Sequence, residues 1–315
     1  MAASVRATVV VPVKDGGALL EALLSGLQHQ EVPGGLEVLA IDSGSSDGSL
    51  ETLRRRGVRL IEVPPTAFDH GETRNLGARE AKGTVALFMS QDVVPSDGHV
   101  VRRLVEAVEK DPRLAGAFAR QVPRAEADPL TRRDLSSWVA ARPEPRTVFL
   151  EDHAAFASLP PLERHRLTAF DNVASAVRRD VLLAHPFAPT RFGEDVEWGQ
   201  RMLRLGYGLA YVPDAVVVHS HPRTARALLR RNYLGHRLLH RLFGLRTVPD
   251  APHLVRASIG AVVGDVGTLL REGAGVSAFA AAPAQAVAGV YGQYRGARDE
   301  ALGRPYPEWG GGGTR

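Results

Sequence analysis

Short unbroken apolar runs alternate with one-faced helical runs through the first ninety residues. ATVVVPV (7–13), LEVLAID (36–42), VRLIEV (58–63) and TVALFMS (84–90) read as strands, and most of their positions are apolar on both faces. Between them, GALLEALLSGLQHQ (17–30), SLETLRRRG (49–57) and ETRNLGAREAKG (72–83) read as helices, the last two closed by Gly57 and Gly83. Buried strands alternating with helices predict βαβ units and an α/β fold with a mainly parallel sheet. Residues 122–165, with RPEPRT and SLPPLERH, predict long, mobile loops and short helices. Regular pattern returns with NVASAVRRDVLLAH, helix-like EDVEWGQRMLRLG and strand-like AYVPDAVVVHSH. Beyond 222 the chain reads as helical, so the expected division is an α/β domain over 1–221, a helical extension over 222–301 and a disordered tail over 302–315. No internal repeat is visible.

Composition narrows the chemistry. The 315 residues are 44% apolar and 23% charged, ordinary for a protein with a real core. There is no cysteine, which excludes disulfides, thiolate catalysis and thiolate zinc sites. MAASVRATVVVPV has no long apolar leader core, which favours the cytoplasm. The net charge of +4 is uneven: 221–246 holds seven arginines and no acid, suiting either a phosphate-rich ligand, an anionic membrane surface or a plain solvated helix face. Residues 273–294 are uncharged and long enough to span a bilayer, but they are mostly Ala and Gly. Val287, Val290, Tyr291 and Tyr294 fall on one helical face, which predicts an amphipathic packing helix, with a surface-lying helix as the alternative.

No phosphate-loop, dinucleotide or zinc-protease motif is present. Gly44-Ser45-Ser46-Asp47-Gly48 does fit the G-x-S-x-G pattern of a hydrolase nucleophile elbow. Its position argues against that use, since only one strand and one helix precede it and no oxyanion loop comes first. A small-residue turn after a strand instead suits a nucleotide pocket lined by backbone N–H groups.

Asp42 and Asp92 both end strand-like segments, so a parallel sheet would present both at the crevice where such sheets bind ligands. Each alone reads as a turn residue. Glu194 and Asp195, in RFGEDVEWGQRM, stand at a helix start, where acids meet unpaired N–H groups or where a general base can be held. His219 and His221 alternate at a strand end and could offer one nitrogen ligand to a metal.

VVVPVKDGG, EVLAIDSGSSDGS, SQDVVP, FGEDVEW and AVVVHSH occur here in the order seen in family 2 glycosyltransferases of the GT-A fold, and the chain resembles that family over roughly residues 6–240. FDHGETRNLGAREAKG (68–83) and FDNVASAVRRDV (170–181) resemble its rhamnosyltransferase branch. The resemblance implies a Rossmann-like GT-A domain acting as an inverting, metal-dependent transferase in polysaccharide biosynthesis. It would move rhamnose from dTDP-rhamnose to a glycan or lipid-linked acceptor, with no nucleic acid involved. It implies Asp195 as general base supported by Glu194. It also implies a nucleotide-sugar pocket of Pro12, Val13, Asp15, Asp42, Ser43, Gly44, Arg74, Asn75, Gln91 and Asp92. The family commonly carries Asp-x-Asp at the metal site, where this chain has Gln91-Asp92-Val93, so the implied Mg²⁺ or Mn²⁺ ligands are Asp92 and His219. The alternatives are another donor such as a UDP-hexose, or a non-catalytic sugar-nucleotide-binding scaffold. Peripheral contact with the inner membrane face is a further expectation.

Overall fold

The computed structural model describes residues 5–307. The strands are β1 (Ala7–Val13), β2 (Leu36–Asp42), β3 (Arg59–Glu62), β4 (Val85–Met89), β5 (Val94–Pro95), β6 (Leu114–Val122), β7 (Arg146–Val148), β8 (Ala174–Arg178) and β9 (Gly208–Val218). The helices are α1 (Gly17–Gln28), α2 (Ser49–Arg55), α3 (His70–Glu80), α4 (Val100–Glu109), α5 (Pro129–Ser136), α6 (His153–Ser158), α7 (Pro161–Leu167), α8 (Arg179–Ala184), α9 (Glu194–Arg204), α10 (Ala225–Phe243), α11 (Ala251–Arg271) and α12 (Val276–Ala301). The chain divides into two units: residues 1–124, 135–158 and 166–220 form the first, and 125–134, 159–165 and 221–315 the second. Two short inserts from the middle of the chain therefore join the C-terminal helices, which a simple cut at 221 does not anticipate.

The first unit is one sheet in the order β3-β2-β1-β4-β8-β6-β9-β5, with β7 also paired to β9. Strands β1, β2, β3 and β4 are mutually parallel, and β6 and β9 run the same way. The fold is α/β with a mixed, mostly parallel sheet flanked by helices, as the alternating pattern predicts. Period-two alternation sends Val9, Val11 and Val13 into one core layer with Leu20, Leu23 and Leu24 of α1. It sends Val10 into the other, with Phe88, Phe170, Phe187 and Trp198.

Two departures from the sequence pattern bear on the site. The helix α4 and the strand β6 were not singled out by periodicity. The strand LAGAFARQV is rich in Ala and Gly, which carry weak strand propensity. The strand β8 is antiparallel to both neighbours, pairing Met89 with Ala174 and Phe118 with Ser175. Its beginning, and the loop 170–173 before it, therefore lie at the edge where β4 and β6 end. Helix α3 also starts earlier than predicted, because the Asp69 carboxylate accepts from the N–H groups of Gly71 and Glu72 and caps it.

In the second unit, α12 packs by a different face from the one its large apolar residues define. Val290 is buried, but Val287 and Tyr291 are exposed at 45% and 40%. The packed face is Ala282, Ala286, Gly292, Gly296 and Ala297. A Cβ on Gly292 would stand 2.6 Å from the Leu229 carbonyl oxygen of α10, and one on Gly296 2.3 Å from that of Tyr233. Residues 302–306, predicted as part of a disordered tail, are anchored: Arg237 donates to the Arg304 carbonyl and stacks 3.8 Å from the Tyr306 ring centre. The rest of that tail, 308–315, lies outside the described residues. Gly296→Val is expected to destabilise the helical unit by about 1–3 kcal/mol through overpacking, whereas Val287→Ala should leave it nearly unchanged. Paired thermal melts of the two variants check this.

Candidate active site

Because β1, β2, β4, β6 and β9 point the same way, their C-terminal ends share one edge. Val13, Asp42, Asp92 and His219 are delivered there, and β8 adds Asp171 and Asn172 from the opposite direction.

The turn after β2 is a self-satisfied scaffold. Asp42, 1% exposed, accepts from the N–H groups of Gly44 and Ser45 at 2.8 and 2.9 Å and from the Ser45 hydroxyl. Three of its roughly four acceptor positions are therefore used within the turn, which Asp42 caps. Ser43 donates backbone N–H and hydroxyl to the Val13 carbonyl. Gly44 adopts φ 85°, and a Cβ there would meet the Pro65 ring at 2.7 Å. The N–H groups expected to line a nucleotide pocket are thus largely spent: Ser46 N–H goes to Asp15 Oδ1 at 2.8 Å. The Ser46 hydroxyl also turns to Asp15, at 3.3 Å, a carboxylate and not the imidazole that a nucleophile elbow requires.

Pro12 is half-buried in β1 opposite Ile41, and the loop that follows closes over this turn. Asp15 takes φ 47°, the single positive-φ non-glycine among the described residues, with its N–H on Ser45 Oγ at 2.8 Å. The Ser46 N–H, aided by Lys14, holds the Asp15 carboxyl below its ordinary pKa. Lys14 Nζ also donates to the Gly44 carbonyl. Gln91 spends its amide on both backbone groups of Lys14, at 2.8 and 2.9 Å, locking the β1 loop to the end of β4.

Asn75 is likewise a clamp, its amide exchanging two 2.9 Å hydrogen bonds with the Phe187 backbone. Arg74 beside it forms a sealed ion pair with Glu194 at 3.0 Å, both side chains under 10% exposed.

That pair anchors the acids at the start of α9, after Gly193 at φ 71°. Burial opposes the Glu194 charge, but Arg74, His70 and the Asn172 amide outweigh it and hold the carboxyl below its ordinary value. Asp195 goes the other way. Its carboxyl is densely surrounded while the residue keeps some surface in solvent, and burial, then the charges of Glu194 and Asp171, raise its pKa to about 8. Asn172 ties the two acids together, its backbone N–H on Asp195 Oδ2 at 2.9 Å and its side-chain amide on Glu194 Oε1 at 3.1 Å.

Asp92 Oδ2 and His219 Nε2 lie 3.6 Å apart. This is too long for a hydrogen bond, but it is the spacing of two ligand atoms sharing one cation at roughly 2.1 Å. A carboxylate oxygen and an imidazole nitrogen suit Mn²⁺ well and Mg²⁺ acceptably, so the donor set fits a divalent ion. His221 stands two residues further along, where the second unit begins.

Four residues here carry no role in the sequence reading. Arg124 Nη2 donates to the Asp92 carbonyl, Gln121 joins His219 to Asp171, and Asn172 joins the two α9 acids. Gln121 and Arg124 lie on or just after β6, the strand that periodicity missed. Asp171 and Asn172 sit in FDNVAS, where the order of residues was visible but not the antiparallel strand that delivers them.

A mostly parallel sheet flanked by helices, with acids gathered at its C-terminal edge, is a GT-A-like fold. The chain carries a family 2 glycosyltransferase domain: residues 8–161 match the model described as Glycosyl transferase family 2. It is 28% identical, over 72% of its length and 70% of the other's, to the O-antigen chain rhamnosyltransferase RfbN of Salmonella typhimurium. It is 26% identical to the O-antigen chain rhamnosyltransferase WbaN of Salmonella anatum, over 62% of this chain and 60% of that one. In fold it is similar to a mannosyltransferase from Pyrobaculum calidifontis solved in complex with GDP-Man and Mn²⁺. The TM-score is 0.58 at 18% identity, covering 95% of this chain and 88% of the other. The protein is a glycosyltransferase.

The raised Asp195 pKa has a consequence for stability. Between its ordinary value of 3.8 and about 8, the folded protein holds a proton that the unfolded chain has released, so this group's contribution falls as pH rises through that window. Asp195→Asn cannot ionise. Its melting temperature relative to wild type should therefore climb from pH 5 to pH 9, and a difference that stays flat would mean the carboxyl titrates normally.

Proposed function

We propose that this protein transfers rhamnose from dTDP-rhamnose to a hydroxyl of a glycan or lipid-linked acceptor, with inversion, on a divalent-metal site. The observation that carries the reading is Asp195, held at the crevice edge with a raised pKa beside an acid kept charged by Arg74. Deprotonated, such a carboxylate is a stronger base than an ordinary one. It would take the acceptor's proton as that oxygen bonds to the anomeric carbon and the bond to the diphosphate breaks. Glu194, with Arg74 and Asn172, would hold the base in place. Base catalysis of this kind is worth about a hundred- to ten-thousand-fold.

Asp92 and His219 would hold Mg²⁺ or Mn²⁺, which when bound neutralises charge on a departing diphosphate. Lys14 and Asp15 over the Gly44–Ser46 turn would wall the donor pocket, with Arg74 behind them. The rhamnosyl assignment draws support from the two O-antigen relatives and from FDHGETRNLG and FDNVAS. A different nucleotide sugar is the second reading, supported by the GDP-Man complex of the structural neighbour.

Titration calorimetry with dTDP-rhamnose, UDP-glucose, UDP-galactose and GDP-mannose, with and without Mn²⁺, tests the donor. Metal-enhanced binding of dTDP-rhamnose alone is expected, and preference for another donor would overturn the sugar. Binding of none of them would move the protein to a scaffold role. With a productive donor, kcat/KM should rise with pH as Asp195 ionises. Asp195→Asn should keep donor affinity while losing turnover by about a hundredfold or more.

Membrane contact, on this reading, would fall to α11 more than to the arginine-rich segment as a whole. Arg223 is spent on Asp134 and Asp265, and Arg237 on Glu300. Helix α11 is long and apolar enough to cross a bilayer by length and composition. Val255, Ile259, Val263 and Leu270 are each 60% exposed or more, with Arg256 and Arg271 also exposed. Its one acid, Asp265, is buried against Arg133 and Arg223. An apolar face rimmed by cations suits the interface of an anionic membrane, near which a lipid-linked acceptor would lie. The double variant Ile259→Asp/Val263→Asp should lose co-sedimentation with phosphatidylglycerol vesicles. Unchanged sedimentation would sink this assignment.

A further inference from the structure

Asp171, in the loop before β8, accepts three hydrogen bonds. Val173 N–H reaches Oδ1 at 2.9 Å, and Gln121 Nε2 and Trp138 Nε1 reach Oδ2 at 2.6 and 3.3 Å. A carboxylate surrounded by donors is an acceptor only, so the group that Gln121 presents to it must be the NH₂. That orientation leaves Gln121 Oε1 facing His219 Nδ1 at 2.9 Å. An amide oxygen cannot donate, so Nδ1 carries the proton. The imidazole's other nitrogen, Nε2, is the atom turned toward Asp92. Gln121 and His219 are 4% and 7% exposed, so water has little room to replace either partner.

We propose that Gln121 is the positioning residue of this site, taking its own orientation from Asp171 and thereby holding His219 in the Nδ1–H form with the Nε2 lone pair presented beside Asp92. The consequence for a cation rests on the metal-site reading above; the tautomer does not. A ligand histidine whose far nitrogen donates to a fixed acceptor is both aimed and made more basic. Here the acceptor is neutral and the charge stands one residue further back, on Asp171. The same Asp171 charge is among those that raise Asp195. One amide thus ties the geometry of the cation ligand to a carboxylate that also tunes the base.

The test uses the full chain without donor. Long-range ¹⁵N–¹H spectra, with the His219 signals assigned by their loss in His219→Gln, report which ring nitrogen is protonated at a pH where the ring is neutral. Mn²⁺ affinity is read separately from the free-ion electron paramagnetic resonance signal. Wild type is expected as Nδ1–H. Gln121→Met, similar in length but unable to accept or donate as an amide does, should shift His219 toward Nε2–H and weaken Mn²⁺ binding about 10- to 100-fold. A wild-type His219 protonated on Nε2, or Gln121→Met binding Mn²⁺ within about twofold of wild type, overturns the proposal. Wild type that shows Nδ1–H yet binds no Mn²⁺ supports the positioning role and removes the metal reading instead. Should Gln121→Met fail to fold, the wild-type tautomer still decides.

Discussion

The ion pair between Arg74 and Glu194 is the interaction on which the rest of the site depends. Both groups are almost sealed from solvent, so the pair need add little net stability, but breaking it would leave one charge buried and alone. Its effect is geometric. It pins the first turn of α9 to α3, and Asn172 then bridges from Glu194 to Asp195, so the position of Asp195 follows from that of Arg74. It is also electrostatic. Burial first, and then the Glu194 charge that Arg74 maintains, keep Asp195 from ionising at its ordinary pH.

Strand direction supplies the second constraint. Five parallel strands alone would gather Asp42, Asp92 and His219 at one edge. They would not bring Asp171 and Asn172 there, since a parallel strand would carry the loop before it to the far edge. The antiparallel β8 reverses that. The loop entering β8 arrives where β4 and β6 leave, which is why residues distant in sequence meet around Gln121 and the start of α9.

Much of this was legible in the sequence. The alternation of buried runs and helices carries the α/β class, because parallel strands covered on both sides must be apolar throughout. The acids at strand and helix ends, Asp92, Glu194 and Asp195, could be picked out by position. What could not be read were the partners of each polar group. Asp42 looks like a ligand-binding residue in a motif, yet its carboxylate caps its own turn, and Asn75 and Gln91 spend their amides on backbone groups of other segments. Gln121 has no local signature at all, since its importance comes from two neighbours, 50 and 98 positions away. The packed face of α12 was hidden for a related reason. Periodicity tracks large apolar side chains, whereas this contact is made by glycines that let two backbones approach.

The four carboxylates around Gln121 and the start of α9 could simply repel one another, and the fold separates them by what each is given. Glu194 has a guanidinium and stays charged in a sealed place. Asp171 has three N–H donors and serves as a fixed negative pole. Asp92 has an imidazole nitrogen beside it and remains open enough to share a cation. Asp195 receives the N–H groups of Asn172 and Val196 but no adjacent cation of its own, so it alone is left to hold or release a proton near neutral pH. Three of the four are therefore committed by their partners before any substrate arrives. The remaining one, stabilised least in its charged form, is the group with the most to gain from an acceptor's proton.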